Sequence, residues 1–312
     1  MKKLISIVTS AYNEEGCIDF FAHSIKKAFE EIKDFDFEVI FVENGSTDRT
    51  YEKMIEINKN DNRFKIVRLS RNFRMDGGIT AGLQYAKGDA VIMMTANLQD
   101  KPSLIPQLVK KWEEGYEHVY AVVKSRPGKS IFRKINSKLF YIIINYLTDD
   151  LIPKNASDYR LIDKKIVKVI NGINERNRFM RGLFAWVGFK SIGIEFERDK
   201  RYAGKSHAHF WKVLELALKG IFAFSYKPIY FISGLGFIIA LLSFIYLLFN
   251  VLKILLFGVP FAGYGTIISL VLFLFGFNFF ILGILSLYIA QVYEEVKQRP
   301  NYIVKELVGI ND

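Results

Sequence analysis

The chain has 312 residues, with 43 Lys or Arg against 32 Asp or Glu, so its formal net charge is +11 at pH 7. Charge is nearly absent from one region, because Lys253 is the only charged side chain between Pro228 and Ala290. This contrast excludes a purely soluble enzyme, a disordered chain and a collagen-like or disulfide-rich secreted domain, and the single cysteine, Cys17, has no disulfide partner in the chain.

Apolar strands and amphipathic helices alternate in the first part of the chain. The predicted strands are Leu4–Ser10, Phe37–Glu43, Phe64–Leu69 and Ala90–Met94, and the predicted helices are Cys17–Ile32, Thr47–Asn58 and Gly77–Ala86. The opening apolar run is too short for the core of a signal peptide, so we interpret it as a buried strand. Strands that alternate with helices predict an α/β fold with a mostly parallel sheet covered on both faces.

Short polar side chains follow three of the predicted strands. These loops are Thr9–Glu15 after the first strand, Glu43–Asp48 after the second and Thr95–Asp100 after the fourth. Ligands bind outside the carboxyl ends of the strands in such sheets, so the three loops predict a binding site at one edge. Helix capping by Ser46, Thr47 and Asp48 would explain the second loop, but it does not explain all three together.

Two uncharged stretches, Ile229–Leu252 and Tyr264–Ala290, are each long enough to cross a membrane as a helix. The connection between them is short and nearly uncharged, whereas Lys227, Lys297, Arg299 and Lys305 flank the pair on its outer sides. The positive-inside rule then predicts a helical hairpin with both chain termini in the cytoplasm.

Segment 211–227 is predicted to be an amphipathic helix at the membrane interface, and 133–147 is either a second one or a core helix of the soluble domain. The predicted domains are therefore a cytosolic domain at 1–210, an interfacial helix at 211–227, two membrane helices within 228–290 and a cytosolic tail at 291–312. Basic groups beside interfacial segments face an anionic leaflet, which accounts for the positive charge without a nucleic acid partner.

Several motifs carry a resemblance to known enzymes. Ala11-Tyr-Asn-Glu-Glu15, Gly45-Ser-Thr-Asp48 and Leu98-Gln-Asp100 resemble the nucleotide-sugar-binding loops of family 2 glycosyltransferases. The resemblance extends over the whole length of the chain. Within this family, the chain most resembles the membrane-anchored polyprenyl-phosphate glycosyltransferases, the group that contains dolichyl-phosphate mannose synthase. The segments that narrow it include Arg71–Phe73, Lys87–Asp89, Asp158–Leu161, Glu175–Gly182 and Arg201–Ser206.

The resemblance implies a GT-A domain followed by interfacial helices and the membrane hairpin. It also implies transfer of one sugar, with inversion, from a nucleoside diphosphate sugar to a polyprenyl phosphate such as undecaprenyl phosphate. UDP is the expected nucleotide by association with comparable bacterial proteins. The expected location is the bacterial inner membrane, with the catalytic domain on the cytoplasmic side. The resemblance is compatible with either a monomer or a homo-oligomer.

The resemblance also implies roles for individual residues of this sequence. The residues implied to bind the nucleotide sugar are Ala11, Tyr12, Glu14, Asn44, Thr95 and Asn97, and those implied at the acceptor phosphate are Arg126, Arg133, Lys205 and Ser206. Asp158 and Arg201 are the implied catalytic residues. An acceptor phosphate is already ionised near neutral pH, so Asp158 is expected to orient the sugar, with a capping role beside Ser157 as the alternative.

The metal-binding motif of the family is altered. Its Asp-x-Asp appears as Thr95-Ala-Asn97, which leaves Asn97, Gln99 and Asp100 as candidate ligands for Mg²⁺ or Mn²⁺. Amide oxygens hold a hard cation less well than carboxylates, so weak binding is expected. Two interpretations follow: an active glycosyltransferase in which Lys101, Arg201 or Lys205 replaces part of the metal's charge, or a membrane-bound pseudo-glycosyltransferase that binds nucleotide or lipid without turnover.

Overall fold

A computed structural model of the chain describes residues 2–124, 153, 155–176, 178–197, 225, 227–257 and 263–310. The chain divides into two units, one formed by Met1–Ala217 with Arg299–Asp312 and the other by Leu218–Gln298. Of the two predicted interfacial segments, only Ser225 and Lys227 fall within the described residues.

An eight-stranded sheet forms the centre of the first unit. Its strands are β1 (Lys3–Ala11), β2 (Phe35–Glu43), β3 (Phe64–Leu69), β4 (Ala90–Met93), β5 (His118–Val123), β6 (Ala156–Asp163), β7 (Ser191–Phe196) and β8 (Val304–Val308). Its helices are α1 (Ile18–Glu30), α2 (Thr50–Asn60), α3 (Arg74–Tyr85), α4 (Ile105–Glu113), α5 (Lys164–Gly172) and α6 (Met180–Trp186). The seven predicted elements are confirmed, with ends displaced by at most three residues.

The strand order is β7-β5-β6-β4-β1-β2-β3-β8. The pairs β1–β2, β1–β4, β2–β3 and β5–β7 are parallel, while β3–β8, β4–β6 and β5–β6 are antiparallel. The sheet is therefore mixed, and the parallel pairs among β1, β2, β3 and β4 form the alternating region that the sequence predicts. The last strand was not predicted: β8 follows the apolar helices in sequence yet closes the β3 edge.

Close packing of α3 on the sheet brings this helix beside the cleft described below. A Cβ atom on Gly82 would lie 2.3 Å from Val8 Cγ1, and one on Gly78 would lie 2.2 Å from Ser10 Oγ. Both glycines are buried, and the strands beneath them are buried as well. The absence of side chains at these positions lets the start of α3 lie against the carboxyl end of β1.

The Lys87–Asp89 motif has a structural explanation at the opposite edge of the sheet. Glu38 Oε1 accepts hydrogen bonds from the Lys87 N–H (2.8 Å) and from Ser6 Oγ (2.5 Å). Asp89 Oδ2 accepts one from the Leu4 N–H at 3.1 Å, and a Cβ on Gly88 would lie 2.6 Å from the Ser6 nitrogen. These residues join the amino ends of the strands, remote from the edge where the loops converge.

His118 is a buried histidine in β5 that packs against Phe184, with ring centroids 6.1 Å apart. Burial and, to a smaller extent, the positive charge of Arg160 together lower the pKa of His118 to about 3. The folded protein therefore keeps His118 neutral at pH values where the unfolded chain, with a pKa near 6.5, takes up a proton. Stability should fall as the pH falls from about 6.5 towards 3.

We expect His118→Phe to reduce this acid sensitivity, because it removes the proton that only the unfolded chain binds. Below pH 6, the free energy of unfolding of the unaltered protein should fall relative to that of His118→Phe by about 1.4 kcal/mol for each pH unit. Thermal unfolding of both proteins in detergent, followed at pH 7 and pH 5, measures it. Parallel losses of stability in the two proteins would show that His118 does not contribute.

The second unit contains two long apolar helices, α7 (Lys227–Phe257) and α8 (Tyr264–Lys297). Lys227–Tyr246 and Phe273–Lys297 have mean hydropathies of 2.2 and 2.1, and almost none of their side chains are buried within the protein. By length and composition, both helices are able to cross a membrane. The two helices contain both predicted spans. Helix α8 is longer than the second span, because it continues past Ala290 through a charged turn that includes Glu294 and Glu295.

Candidate functional site

A cleft of about 790 Å³ lies at the carboxyl ends of β1, β2 and β4. Six of the residues selected from the sequence line it: Tyr12, Glu14, Asn44, Thr95, Asn97 and Asp158. Ala11 lies at the end of β1, where it is buried and its carbonyl oxygen accepts the Asn44 N–H at 3.0 Å. The structure thus brings the three polar loops to one edge of the sheet, as the strand order requires.

The loops after β1 and β2 are joined by reciprocal hydrogen bonds. Asn13 Oδ1 accepts the Thr47 N–H at 2.8 Å, and the Asn13 N–H donates to Ser46 Oγ at 3.2 Å. Asp48 also accepts the Thr50 N–H at 3.0 Å, at the start of α2. Asp48 precedes the N-cap residue of α2, Arg49, whose side chain makes no capping hydrogen bond. Asp48 Oδ2 also accepts the Glu15 N–H at 3.2 Å, so all three residues of the second loop help to hold the first loop in place.

Asn44 connects a third loop to the cleft. Its side chain is buried; Oδ1 accepts the Phe73 N–H and Nδ2 donates to the Arg74 carbonyl oxygen, both at 2.8 Å. Gly45 follows with φ of 72°, and a Cβ there would lie 2.6 Å from the Arg71 carbonyl carbon. Only glycine fits this close approach, so Asn44 and Gly45 together explain why the 71–73 motif lies against the second loop.

The candidate metal ligands make hydrogen bonds within their own loop, 95–100. Asp100 is fully buried, and its Oδ2 accepts from Thr95 Oγ at 2.6 Å. Asn97 Oδ1 accepts from the Gln99 N–H at 3.1 Å, while Gln99 Oε1 accepts from Asn97 Nδ2 at 3.3 Å. Among the described residues, no group of three or more His, Cys, Asp or Glu is placed to hold a metal ion. This donor set, with one carboxylate facing a hydroxyl, does not fit a strong site for Mg²⁺ or Mn²⁺.

A carboxylate at the cleft is held by a planar guanidinium. Asp158 lies in β6, and Arg181 lies in α6. Arg181 Nε donates to Asp158 Oδ1 and Arg181 Nη2 donates to Asp158 Oδ2, both at 2.5 Å. Arg160 lies behind this pair; burial lowers its pKa to about 10, while the negative charge of Asp158 acts in the opposite direction. A bidentate pair of this kind fixes orientation as well as charge.

Arg181 was not selected as a site residue from the sequence. The Glu175–Gly182 segment carries part of the family resemblance, but it contains three arginines, and the sequence does not indicate which of them belongs to the site. The structure separates them, because Arg178 is buried and donates to the carbonyl oxygens of Ile173 and Glu175, whereas Arg181 reaches the cleft carboxylate. Arg178 therefore holds its own loop, whereas Arg181 bonds to a residue that lines the cleft.

The residues before α6 are anchored from two directions. The Met180 N–H donates to Asp76 Oδ1 at 3.2 Å, which joins α6 to the first turn of α3. Asn301 Nδ2 donates to the Glu175 carbonyl oxygen at 3.0 Å, which joins the same segment to the chain just before β8. These contacts set the position from which Arg181 reaches Asp158.

The sequence pattern of glycosyl transferase family 2 matches residues 6–170, which is more than half of the chain. The chain is a family 2 glycosyltransferase. An uncharacterised glycosyltransferase of Synechocystis sp. is 42% identical over 306 residues, which are 98% of this chain and 96% of that protein. A bactoprenol glucosyl transferase of Shigella phage SfII is 35% identical over 302 residues, 97% of each chain.

The glycosyltransferase also resembles solved structures in its fold. A mannosyltransferase from Pyrobaculum calidifontis, in complex with GDP-Man and Mn²⁺, superposes with a TM-score of 0.50 at 15% sequence identity. The superposition covers 72% of this chain and 64% of that protein. At this level of identity the likeness supports the predicted GT-A architecture and nothing finer.

The residues predicted at the acceptor phosphate are not among those that the structure describes. Arg126, Arg133, Lys205 and Ser206 all lie outside the described ranges of the glycosyltransferase, as does the predicted catalytic Arg201. Their roles remain predictions. The described part of the candidate site is therefore the cleft at the carboxyl ends of β1, β2 and β4, which includes Asp158.

Proposed function

We propose that this glycosyltransferase transfers a sugar from a UDP-sugar to the phosphate of a polyprenyl phosphate, with inversion at the anomeric carbon. The observation that carries the proposal is the match to bactoprenol glucosyl transferases over 97% of both chains. That match extends well beyond the catalytic family region and therefore includes the apolar helices. An enzyme that glycosylates a membrane lipid needs both parts.

The cleft supports binding of the donor. Tyr12 is exposed where it lines the cleft and offers an aromatic face to a nucleobase, and Glu14 lines the same cleft with its carboxylate. Asn44, whose amide bonds the backbone of Phe73 and Arg74, is proposed to shape the nucleotide-binding part of the cleft. Thr95 and Asn97 line the same space and are the proposed neighbours of the diphosphate. The sugar then lies towards Asp158, which is on the same cleft.

The proposed reaction is a single displacement. A phosphate oxygen of the lipid attacks the anomeric carbon from the face opposite the nucleotide, and a carbon–oxygen bond forms. The bond between that carbon and the diphosphate breaks, and its electron pair leaves with the UDP. The attacking phosphate is already ionised, so no strong base is required. Arg126, Arg133, Arg201, Lys205 and Ser206 are the proposed contacts for the lipid phosphate.

A panel of nucleotide sugars tests the proposal. The purified full chain would be incubated with undecaprenyl phosphate and radiolabelled UDP-, GDP- and dTDP-sugars, with and without divalent cation. We expect label from a UDP-sugar to enter the lipid fraction. If no sugar is transferred although nucleotide binds, a pseudo-glycosyltransferase becomes the better description. Transfer from a different nucleotide sugar alone would overturn the choice of UDP.

The altered metal motif leads to a prediction about cation affinity. Thr95→Asp/Asn97→Asp places two carboxylates beside Asp100, and hard cations gain affinity as ligand charge increases. The double variant should bind Mn²⁺ more tightly than the unaltered chain in the presence of UDP, as measured by calorimetry. Asn97→Asp alone is the control with one added charge. Tight binding by the unaltered chain, with turnover only in the presence of metal, would show that the weak-site prediction is wrong.

We place the protein in the bacterial plasma membrane with both termini in the cytoplasm, a proposal supported by the two apolar helices and the flanking Lys and Arg residues. Single cysteines at Lys305→Cys and Ala262→Cys, in a Cys17→Ser background, test this orientation with a membrane-impermeant label. Only the cysteine at 262 should react in intact cells from which the outer membrane barrier has been removed. Labelling at 305 under the same conditions would reverse the topology.

A further inference from the structure

We propose that Arg181 is a positioning residue for the donor sugar: it fixes the Asp158 carboxylate so that this group accepts a hydrogen bond from a sugar hydroxyl. The inference rests on the proposed function, because it assigns a further residue of the same site. Arg181 lies beyond the region 6–170 that matches the family pattern. Its part in the site is visible only in the fold.

The geometry of the pair carries the proposal. Both carboxylate oxygens of Asp158 receive one N–H of the same planar guanidinium, so rotation of the carboxylate about its bond to Cβ is blocked. The Asp158 side chain is 19% exposed and lines the cleft, so it is not sealed off by its partner. A carboxylate has about four acceptor positions, more than the two that these guanidinium bonds use.

The chemistry of the reactants favours an orienting role over a proton-accepting one. An ionised phosphate has no proton that must be removed before it attacks. A donor sugar, in contrast, presents several hydroxyl groups, and each is a hydrogen-bond donor matched to a carboxylate oxygen. Fixing that acceptor in advance reduces the entropy lost when the sugar is aligned with the attacking phosphate.

The fold supports the position of Arg181 independently of Asp158. Met180, its neighbour, is hydrogen bonded through its N–H to Asp76, and the preceding segment is bonded to Asn301. Arg160, two residues further along β6, donates from Nη2 to the Ser157 carbonyl oxygen at 2.8 Å, so this nitrogen is directed to the backbone. Arg181 donates hydrogen bonds to both oxygens of the Asp158 carboxylate.

The test compares Arg181→Ala with Arg181→Lys and with a control pair of the same geometry. We expect Arg181→Ala to lower kcat for transfer from UDP-glucose to undecaprenyl phosphate by about ten- to a hundredfold, with unchanged affinity for UDP. Millimolar guanidinium should restore part of the activity of Arg181→Ala. The kcat of Arg181→Lys should lie between those of Arg181→Ala and the unaltered chain. Arg63→Ala removes another bidentate pair, with Asp61, at the amino end of β3, and should leave transfer unchanged and unaffected by guanidinium.

Binding measurements keep the inference separate from the proposed function. Calorimetry should give Arg181→Ala a lower affinity for UDP-glucose than the unaltered chain has, and an equal affinity for UDP. If the unaltered chain transfers no sugar, the proposed function fails, and this comparison of ligands still decides the role of Arg181. Equal affinities of both proteins for UDP-glucose, or equal losses for UDP and UDP-glucose, would overturn the inference.

Discussion

Asp158→Asn should reduce sugar transfer by about a hundred- to a thousandfold while leaving UDP bound as tightly as before. The substitution keeps the size of the side chain and removes its charge and one of its two acceptor oxygens. Loss of one preorganised polar group at a reacting centre typically costs this much in kcat. Asp158 is suited to such a role because it lines the cleft and is fixed by Arg181.

The effect on folding should be small by comparison. Arg181 has a side chain that is 38% exposed, so water can solvate its guanidinium when the carboxylate is lost, and the change in stability should be about 1 kcal/mol or less. Rates of lipid glycosylation and the calorimetric affinity for UDP measure the two effects separately.

Asp163→Asn is the matched control, because Asp163 ends the same strand away from the cleft. It accepts hydrogen bonds from the Lys165 N–H and from Trp112 Nε1, which makes its role structural. It should lower the thermal midpoint without a large change in kcat. Full transfer activity in Asp158→Asn would exclude a direct role for Asp158 in the reaction.

Glu38→Ala should lower the free energy of unfolding of the α/β domain by about 3–5 kcal/mol. Glu38 is buried in β2, and Lys65 Nζ donates to its Oε2 at 2.6 Å. Oε1 accepts from Ser6 Oγ and from the Lys87 N–H. Removal of the carboxylate would leave the partly buried ammonium group of Lys65 without this charge and would take an acceptor from two further donors.

Denaturant unfolding of the full chain in detergent, followed by the signal of the α/β domain, measures this loss. Glu52→Ala is the control, since Glu52 is exposed on α2, and its effect should stay within about 0.5 kcal/mol. Glu38→Gln keeps an acceptor oxygen, so its loss of free energy of unfolding should lie between those of Glu38→Ala and Glu52→Ala. A midpoint for Glu38→Ala equal to that of Glu52→Ala would show that the buried network does not stabilise the domain.

Much of the cleft follows from local sequence patterns. The alternation of elements predicts a sheet whose carboxyl edge carries the loops after β1, β2 and β4, and Tyr12, Glu14, Thr95 and Asn97 do line a common cleft there. Local patterns do not predict which hydrogen-bond partners the loop side chains have. Asn44 uses its amide on the backbone of Phe73 and Arg74, and Asp100 turns to Thr95. These bonds depend on how separate loops pack.

The motifs that carry the family resemblance also divide into two kinds once the fold is known. Lys87–Asp89 lies at the amino ends of the strands and closes a hydrogen-bond network there, so its role is structural. The Glu175–Gly182 segment instead supplies Arg181, which bonds to the cleft residue Asp158. Resemblance marks both segments equally, because a family pattern does not distinguish a residue that holds the fold from one that acts on a ligand.

The sequence by itself determined the type of each early element and the two apolar helices, because periodicity and hydropathy record which solvent each local segment faces. Only the tertiary structure decided that β8 pairs with β3 and that Arg181 pairs with Asp158. Both pairings join residues distant along the chain, and neither leaves a periodic trace in the segments that form it. Such contacts are selected by the packing of the whole domain, since many exposed arginines and short apolar runs satisfy the same local rules.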